Sequence, residues 1–414
     1  MAGGAIGGRG TGSIARQGVR WVLLVSLAWA VSGCWWTQVG SGPGRAFDDR
    51  FEPTLTARSV GALSELWSAP MAEPPIIAQG AVYGVEPGAA LTARDVHTGA
   101  VRWTRPMPVQ HATAPAYHRG FVYVAGYDVE QFCPPEEPFC SFTFLRSGLY
   151  SFDARTGEPG PVVAMPTLAA GPPAFTPTEA IVPGGVPAPR DPSVEGVSNV
   201  WIHPWSGSPA DHVFSVPFQP TGTAPVIDAA RRLLITPSTS GGVEALSLDC
   251  TDPCAPTWTH PTNGGARVLA STRTAVVIVV LTVQNVRALD PSTGDPLYEG
   301  EVDGPGRAAV RGTSVWIDDE SLLAMHADCG QDLCPPVWRG SAVVTGQPVL
   351  GGELVYVPSL TPEDENDTAV FRAAGCGQSF CDPLARLPVA GALVVGDGIV
   401  AATAAGETHV LGIP

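Results

Sequence analysis

Apolar and polar residues alternate in short bursts along this chain, and each burst ends in a turn. The stretch Leu91 to Trp103, LTARDVHTGAVRW, shows the unit in miniature. Leu91 to Arg94 predicts a strand, Asp95 to Gly99 a tight turn, and Ala100 to Trp103 a second strand ending in an aromatic. An Asp carboxylate can accept the backbone N–H groups ahead of it. Gly supplies the left-handed backbone that closes such a hairpin.

The plan recurs. From Pro74, strands at Ile76–Ile77 and Ala81–Gly84 precede this hairpin. A second unit starts near Ala114, with strands at Phe121–Val124 and Leu149–Phe152 and a turn from Asp153 to Gly157; an insertion inside it holds Cys133 and Cys140. Val286 to Gly294 is a third intact copy, and Tyr298 follows Gly294 by four residues as Trp103 follows Gly99. Elsewhere a cysteine pair stands in the turn: Cys250 and Cys254 lead to Trp258, Cys329 and Cys334 to Trp338, Cys376 and Cys381 to Leu387. The stretch from Pro172 to Val216 is degenerate, with strands expected at Val200–His203 and Val213–Val216. Residues 390–414 supply three strands, and Leu66-Trp67 offers the missing fourth.

Units of about 40–45 residues with four strands each predict an all-β fold, a β-propeller. Starts near 74, 114, 172, 224, 265, 308, 347 and 390 give eight blades closed by the N- and C-terminal strands. Seven is the alternative if the degenerate unit is an insertion. The aromatics Trp103, Trp258, Tyr298 and Trp338 read as packing between blades.

The repeat resembles the pyrroloquinoline-quinone-type propeller unit, roughly A-L-D-x-x-T-G-x-x-x-W. Ala93 to Trp103, Ser151 to Gly157 and Ala288 to Gly294 carry the match, and Trp36 with Leu55 to Trp67 resembles the opening of such propellers. The family holds quinoprotein dehydrogenases and also non-catalytic envelope lipoproteins, such as the propeller of the outer-membrane barrel-assembly machinery. The dehydrogenases bind quinone on the propeller axis beneath an adjacent Cys-Cys pair and beside calcium. This chain has no adjacent Cys-Cys, and no residue matches the calcium ligands or the catalytic Asp. The expectation is therefore a non-catalytic binding scaffold without cofactor. A quinoprotein-type oxidoreductase using the quinone, or a propeller sensing a small ligand or sugar, is the alternative.

Composition sharpens the fold. The 48 glycines and 42 prolines mean many turns, while 44% hydrophobic and 15% charged residues supply a core. Charge removes function classes. The net charge is -16, and all 23 basic residues are Arg, so a basic surface for nucleic acid, a Walker A motif and a Lys base are all missing.

The N-terminus reads as an address. Arg9, Arg16 and Arg20 precede an apolar run from Trp21 to Val31, too short to span a membrane. Val31-Ser32-Gly33-Cys34 resembles the lipobox of bacterial lipoproteins. This reading divides the chain into a signal peptide (1–33), a tether and lead-in (34–60) and one propeller domain (61–414). It makes Cys34 the lipidation site, the membrane a partner, and the location extracytoplasmic, anchored to the bacterial cell membrane. An envelope protein or polymer is the expected further partner.

Without Cys34, eight cysteines remain as four local pairs: Cys133/Cys140, Cys250/Cys254, Cys329/Cys334 and Cys376/Cys381. In an oxidising compartment these read as disulfides, each worth about 2 kcal/mol for so small a loop. Metal binding, the alternative, needs two pairs converging on one ion. Three further features invite chemistry: the acidic run Asp364 to Asp367, Glu136 and Glu137 inside the Cys133/Cys140 loop, and His203 and His212 near Trp201 and Trp205. Solvated loops and a divergent blade edge are the plainer readings.

Overall fold

The computed structural model describes residues 36–414 apart from 133–140, 189–190, 206–210, 221–225, 239, 251–253, 282–283, 303–305 and 327–332. Lipidation at Cys34, the Cys133/Cys140 pair, Cys329, Glu136 and Glu137 fall outside these. The regular elements of the described chain are all strands, apart from two 3-10 turns at Val39–Ser41 and Val60–Ala62. No helix among the described residues is long and apolar enough to cross a membrane.

Four sheets have four strands, each paired antiparallel to the next; two more have five, and the two units between Ala308 and Leu387 join in one sheet of ten. Unit 1 is Ile76–Ala78, Ala81–Glu86, Ala90–Asp95 and Val101–Pro106. The first strands of the following units are Ala116–His118, Ala174–Phe175, Val226–Asp228, Ala266–Ser271, Ala308–Arg311, Val349–Gly351 and Ala392–Gly396. Each starts within two residues of its expected position. The degenerate stretch is a full unit too, with Glu179–Ala188, Asp191–Pro204 and His212–Pro220 following Ala174–Phe175. In the last unit Ser64–Pro70 pairs antiparallel with Glu407–Gly412, so the N-terminal strand supplies its fourth member.

First strands touch one another in succession around an axis. Unit 1 meets unit 2, unit 2 meets unit 3, units 4 to 8 follow in order, and unit 8 meets unit 1. Between units 3 and 4 the contact runs through His212–Pro220 and Leu233–Pro237. The core accordingly lies between neighbouring sheets. One buried cluster joins Tyr83 and Trp103 of unit 1 to Val122 and Phe152 of unit 2, and another joins Tyr298 of unit 5 to Leu323 of unit 6. Inner strands are covered on both faces, which explains runs such as Val276–Val280 with no polar position.

The recurring hairpin works as its chemistry suggests. Asp95 Oδ1 accepts from the N–H groups of His97 and Thr98 and from the Thr98 hydroxyl. Asp153 does the same for Arg155 and Thr156, and Asp290 accepts from Ser292 and Thr293 N–H. Gly99, Gly157 and Gly294 close the turns at φ 68°, 70° and 75°.

These glycines have a second duty. A Cβ on Gly99 would lie 2.6 Å from the Trp67 ring, on Gly157 2.6 Å from Trp103, and on Gly294 2.6 Å from Trp258. Each Trp comes from the preceding unit and donates its indole N–H to the residue after the turn Asp: Trp67 to Val96 O, Trp103 to Ala154 O, Trp258 to Pro291 O. Trp67, on the strand that completes the last unit, thus packs onto unit 1 as every other docked Trp packs onto its neighbour. In unit 7 the cysteine turn keeps the glycine. Gly375 (φ 79°) sits under Trp338, so cysteines replace the Asp there but not the Gly.

Candidate functional site

The lead-in is not a tether. Residues 36–52 run around the inside of the ring and engage every unit in order. Ile77 N–H donates to Trp36 O (2.9 Å), Tyr117 N–H to Thr37 O (2.6 Å), Phe175 N–H to Gln38 Oε1 (2.8 Å) and Ile227 N–H to Pro43 O (3.0 Å). Ser271, Val310 and Leu350 N–H then donate to Gly44, Ala46 and Phe47 O at 2.7, 2.8 and 2.8 Å. Gly398 N–H closes the circuit on Glu52 Oε2 at 2.9 Å. The donors lie on the first strand of each unit, or in unit 8 on the turn after it. The glycines that suggested slack serve close approach instead: a Cβ on Gly44 would sit 2.1 Å from Ser271 O.

This inner loop carries buried charge. Asp48 binds Arg311, Oδ1 taking Nη2 at 2.6 Å and Nε at 3.0 Å. Asp49 is 4% exposed; Oδ1 accepts Phe51 N–H at 3.1 Å while Oδ2 has no partner. Burial pushes its pKa up to about 7, with Glu52 and Asp48 adding to the shift while the Phe51 N–H and Arg311 oppose it. Glu52 is spent on backbone, Oε1 accepting from Thr54 and Leu55 N–H. On the neighbouring unit Asp318, 2% exposed, is pushed up to about 6 by burial, with Arg307 at 3.9 Å opposing.

Cys250 and Cys254 are at disulfide separation with Cα atoms 5.8 Å apart, and Cys376 and Cys381 likewise at 5.7 Å. Cys334 is disulfide-bonded, and its expected partner Cys329 lies outside the described residues. Each turn occupies the hairpin between third and fourth strands.

The acidic run separates into roles. Asp367 is buried, holding the Ser359 hydroxyl and Arg386 Nη1 (2.6 Å), while Asp364 lies in an exposed turn. His203 Nδ1 pairs with Asp211 Oδ1 at 2.7 Å. The His212 side chain lies outside the described residues. Trp205 joins a ring stack that the sequence did not reveal: His118 lies over Phe175 at 5.0 Å and over Trp205 at 5.9 Å, with Tyr123 tilted against both. The stack joins units 2 and 3, where the outer strand Pro159–Ala164 carries no aromatic to dock. It therefore substitutes for the Trp–Gly contact.

In the quinoprotein dehydrogenases that the repeat resembles, a quinone and a calcium ion would lie on the axis. Among the described residues no three His, Cys, Asp or Glu side chains converge into a cation site, and no two cysteines are adjacent in sequence. The described residues do not fit that group.

A sequence profile described as "Outer membrane protein assembly factor BamB" matches residues 55–249. No curated protein sequence matches. Among solved structures, BamB from Moraxella catarrhalis superposes with TM-score 0.55 at 14% identity, covering 84% of this chain and 99% of its own. Quinohemoprotein alcohol dehydrogenase from Comamonas testosteroni gives TM-score 0.59 at 13% identity, covering 93% of this chain and 82% of its own. The corresponding enzyme ADHIIG from Pseudomonas putida HK5 gives 0.58 at 13%, covering 93% and 76%. At such identities the likeness is one of fold, and it reaches both the assembly factor and the dehydrogenases. With the Asp–Gly hairpins, the docked tryptophans and the radial sheets, it gives this chain the fold of a pyrroloquinoline-quinone-like β-propeller repeat.

Proposed function

We propose that the chain is an extracytoplasmic binding scaffold of the cell envelope: an eight-bladed propeller closed by its two ends, anchored by lipid on Cys34 and stapled by four disulfides. The observation that carries this reading is the inner loop of residues 36–52. In each unit one backbone N–H of the first strand or the turn after it, the kind of donor a small ligand would need, is taken by the chain's own carbonyls or by Gln38 or Glu52. Binding surface then remains on the outer strands and on the loops between strands. The BamB-like half of the sequence and the superposition on an outer-membrane assembly factor support an envelope protein as partner.

The packed lead-in changes what an anchor would do. Only Trp35 separates Cys34 from Trp36, whose carbonyl is bound to Ile77. Two Cα steps of about 3.8 Å leave no linker. A lipid there holds the propeller against the bilayer rather than on a leash. Radiolabelled palmitate tests the anchor: label is expected on the wild type and lost in Cys34→Ala, and equal labelling of both would overturn it.

The fold likeness to quinohemoprotein dehydrogenases supports oxidoreductase chemistry as a second reading. Incubation with the quinone and calcium, followed by dye reduction with simple alcohols, separates the two. The scaffold reading expects no turnover, and sustained dye reduction contradicts it.

A further inference from the structure

Two of the cysteine turns reach beyond their own hairpins. In unit 6, Cys334 N–H donates to Glu299 O of unit 5 at 2.8 Å, and Leu333 bridges Glu299 in parallel. In unit 7, Phe380–Cys381 pairs in parallel with Arg339 and Gly340 on the outer strand of unit 6, and Arg339 N–H donates to Ser379 O at 2.8 Å. The unit 6 turn thus meets its neighbour's outer edge through a single bridge at Leu333, and the unit 7 turn adds the two-residue strand Phe380–Cys381 to its own neighbour's edge.

Glu299 and Arg339 hold the same register. Each follows the buried aromatic of its outer strand, Tyr298 opposite Ala288 and Trp338 opposite Ala324. At that place the residue's N–H and C=O face away from the sheet. Ser215 holds this register in unit 3, since it follows buried Phe214, which lies opposite Val200.

The turn that would reach Ser215 is Cys250–Cys254 of unit 4. It has three residues between its cysteines where the other two have four, and one of the three is Pro253, which has no N–H to donate. Between this turn and the outer strand of unit 3 lies a cleft of about 310 Å³. Val213, Leu246 and Pro256 give it an apolar lining, Asp211 and Glu244 add negative charge, and Ser215 borders it. Val213 is 41% exposed.

We infer that the outer edge of unit 3 at Ser215 is a docking site for an extended peptide of a partner protein. The peptide adds as a parallel strand, in the arrangement by which the cysteine turns of units 6 and 7 add to units 5 and 6. Its backbone meets the N–H and C=O of Ser215. An apolar side chain enters the cleft over Val213 and Leu246, and basic side chains on either side meet Asp211 and Glu244. The -16 charge of the chain favours the approach of such a segment.

The inference names the surface used by the scaffold proposed above and rests on that reading. The test uses the purified full chain and a fluorescent, acetylated hexapeptide of alternating Arg and Val, followed by anisotropy at about 150 mM salt, where bare charge attraction is screened. Saturable binding is expected. N-methylation of alternate peptide residues, Ser215→Pro, or replacement of the Cys250–Cys254 turn by the Cys329–Cys334 sequence each weakens it by about tenfold or more, the loss of one or two backbone hydrogen bonds. Proline is tolerated on an edge strand, and Ser215→Ala, which keeps the N–H, binds as wild type. No saturable binding, or equal binding of the methylated peptide, overturns the site, and that arm needs no variant to fold. A partner captured in cells without peptide binding sinks the site and spares the scaffold. Peptide binding without a cellular partner does the reverse.

Discussion

Units 1, 2 and 5 close their outer hairpin with Asp and Gly; units 4, 6 and 7 close it with cysteines. The Asp turn is self-contained: one carboxylate satisfies two backbone N–H groups, and the glycine leaves room for a Trp from the preceding unit. In units 6 and 7 the cysteine turn extends outward and meets the edge of the neighbouring sheet. The difference teaches that one position in the repeat serves two ends. It always receives the docking aromatic or its equivalent, and when lengthened and stapled it also manages an exposed sheet edge. The cysteine turn of unit 4 is one residue shorter than those of units 6 and 7, and a cleft borders Ser215 on the outer strand beside it.

The comparison breaks most severely if the docking aromatic is not common to both turn types. Trp103→Ala empties the seat on Gly157, and Trp338→Ala the seat on Gly375. Each is expected to cost about 3–5 kcal/mol by denaturant midpoint, the range for a large buried aromatic. A cost confined to one of them would mean that the two turns are not equivalent seats.

Next in size is the staple. Cys376→Ser with Cys381→Ser is expected to cost about 2 kcal/mol. It should also raise amide exchange at Arg339 on the neighbouring unit, because the clasp runs through Ser379. Exchange limited to residues 376–381 would reduce the turn to a local staple. Smaller again is Asp153→Ala, which removes the acceptor for Arg155 and Thr156 N–H and costs about 1–2 kcal/mol. Its effect should stay within unit 2 and the Trp103 contact.

Acid separates the two classes further. Hydrogen bonding from Arg102 and Thr98 holds the Asp95 carboxyl well below its usual range, and Thr156 N–H lowers Asp153. Such groups stabilise above the unfolded pKa, and that stability is lost as pH falls below it. Exchange protection at residues 95–99 and 153–157 should therefore fall on acidification toward pH 3 while the turn 376–381 keeps its own; a uniform loss would contradict the distinction.

Asp49, in the lead-in loop, behaves in the opposite sense. Its raised pKa contributes stability that is full below the unfolded carboxylate range and lost as pH rises through about 7. Asp49→Asn should be more stable than wild type above that pH, and the gap should close toward pH 4. A gap independent of pH would show that Asp49 is not protonated within the fold.

Much of this was legible in the sequence because the repeat's chemistry is local. Asp95, Thr98 and Gly99 lie within five positions, so their hairpin could be read directly, and the four-residue step to Trp103 marked the packing aromatic. The pairing of Ser64–Pro70 with Glu407–Gly412 was legible because residues 390–414 lacked a strand and Leu66-Trp67 had one to spare. The lead-in was misread as a tether. Its partners lie from Ile77 to Gly398, and a glycine needed for close approach, such as Gly44, looks the same in sequence as one needed for slack. The His118–Phe175–Trp205 stack was invisible for a related reason: its rings come from two units, and its only sequence signal was the missing aromatic on the outer strand of unit 2. The reach of the cysteine turns was hidden too, since the spacing of Cys329 and Cys334 specifies a loop but not the neighbouring edge it touches.

The central claim is that the chain works by binding, through a surface left open by its own architecture. A photocrosslinking residue placed singly at Ser215, Glu299 and Arg339 in living cells tests it most directly. A discrete partner adduct is expected from position 215, with little from 299 and 339, whose edges the chain already covers. Adducts absent from 215, or equal at all three positions, would contradict it.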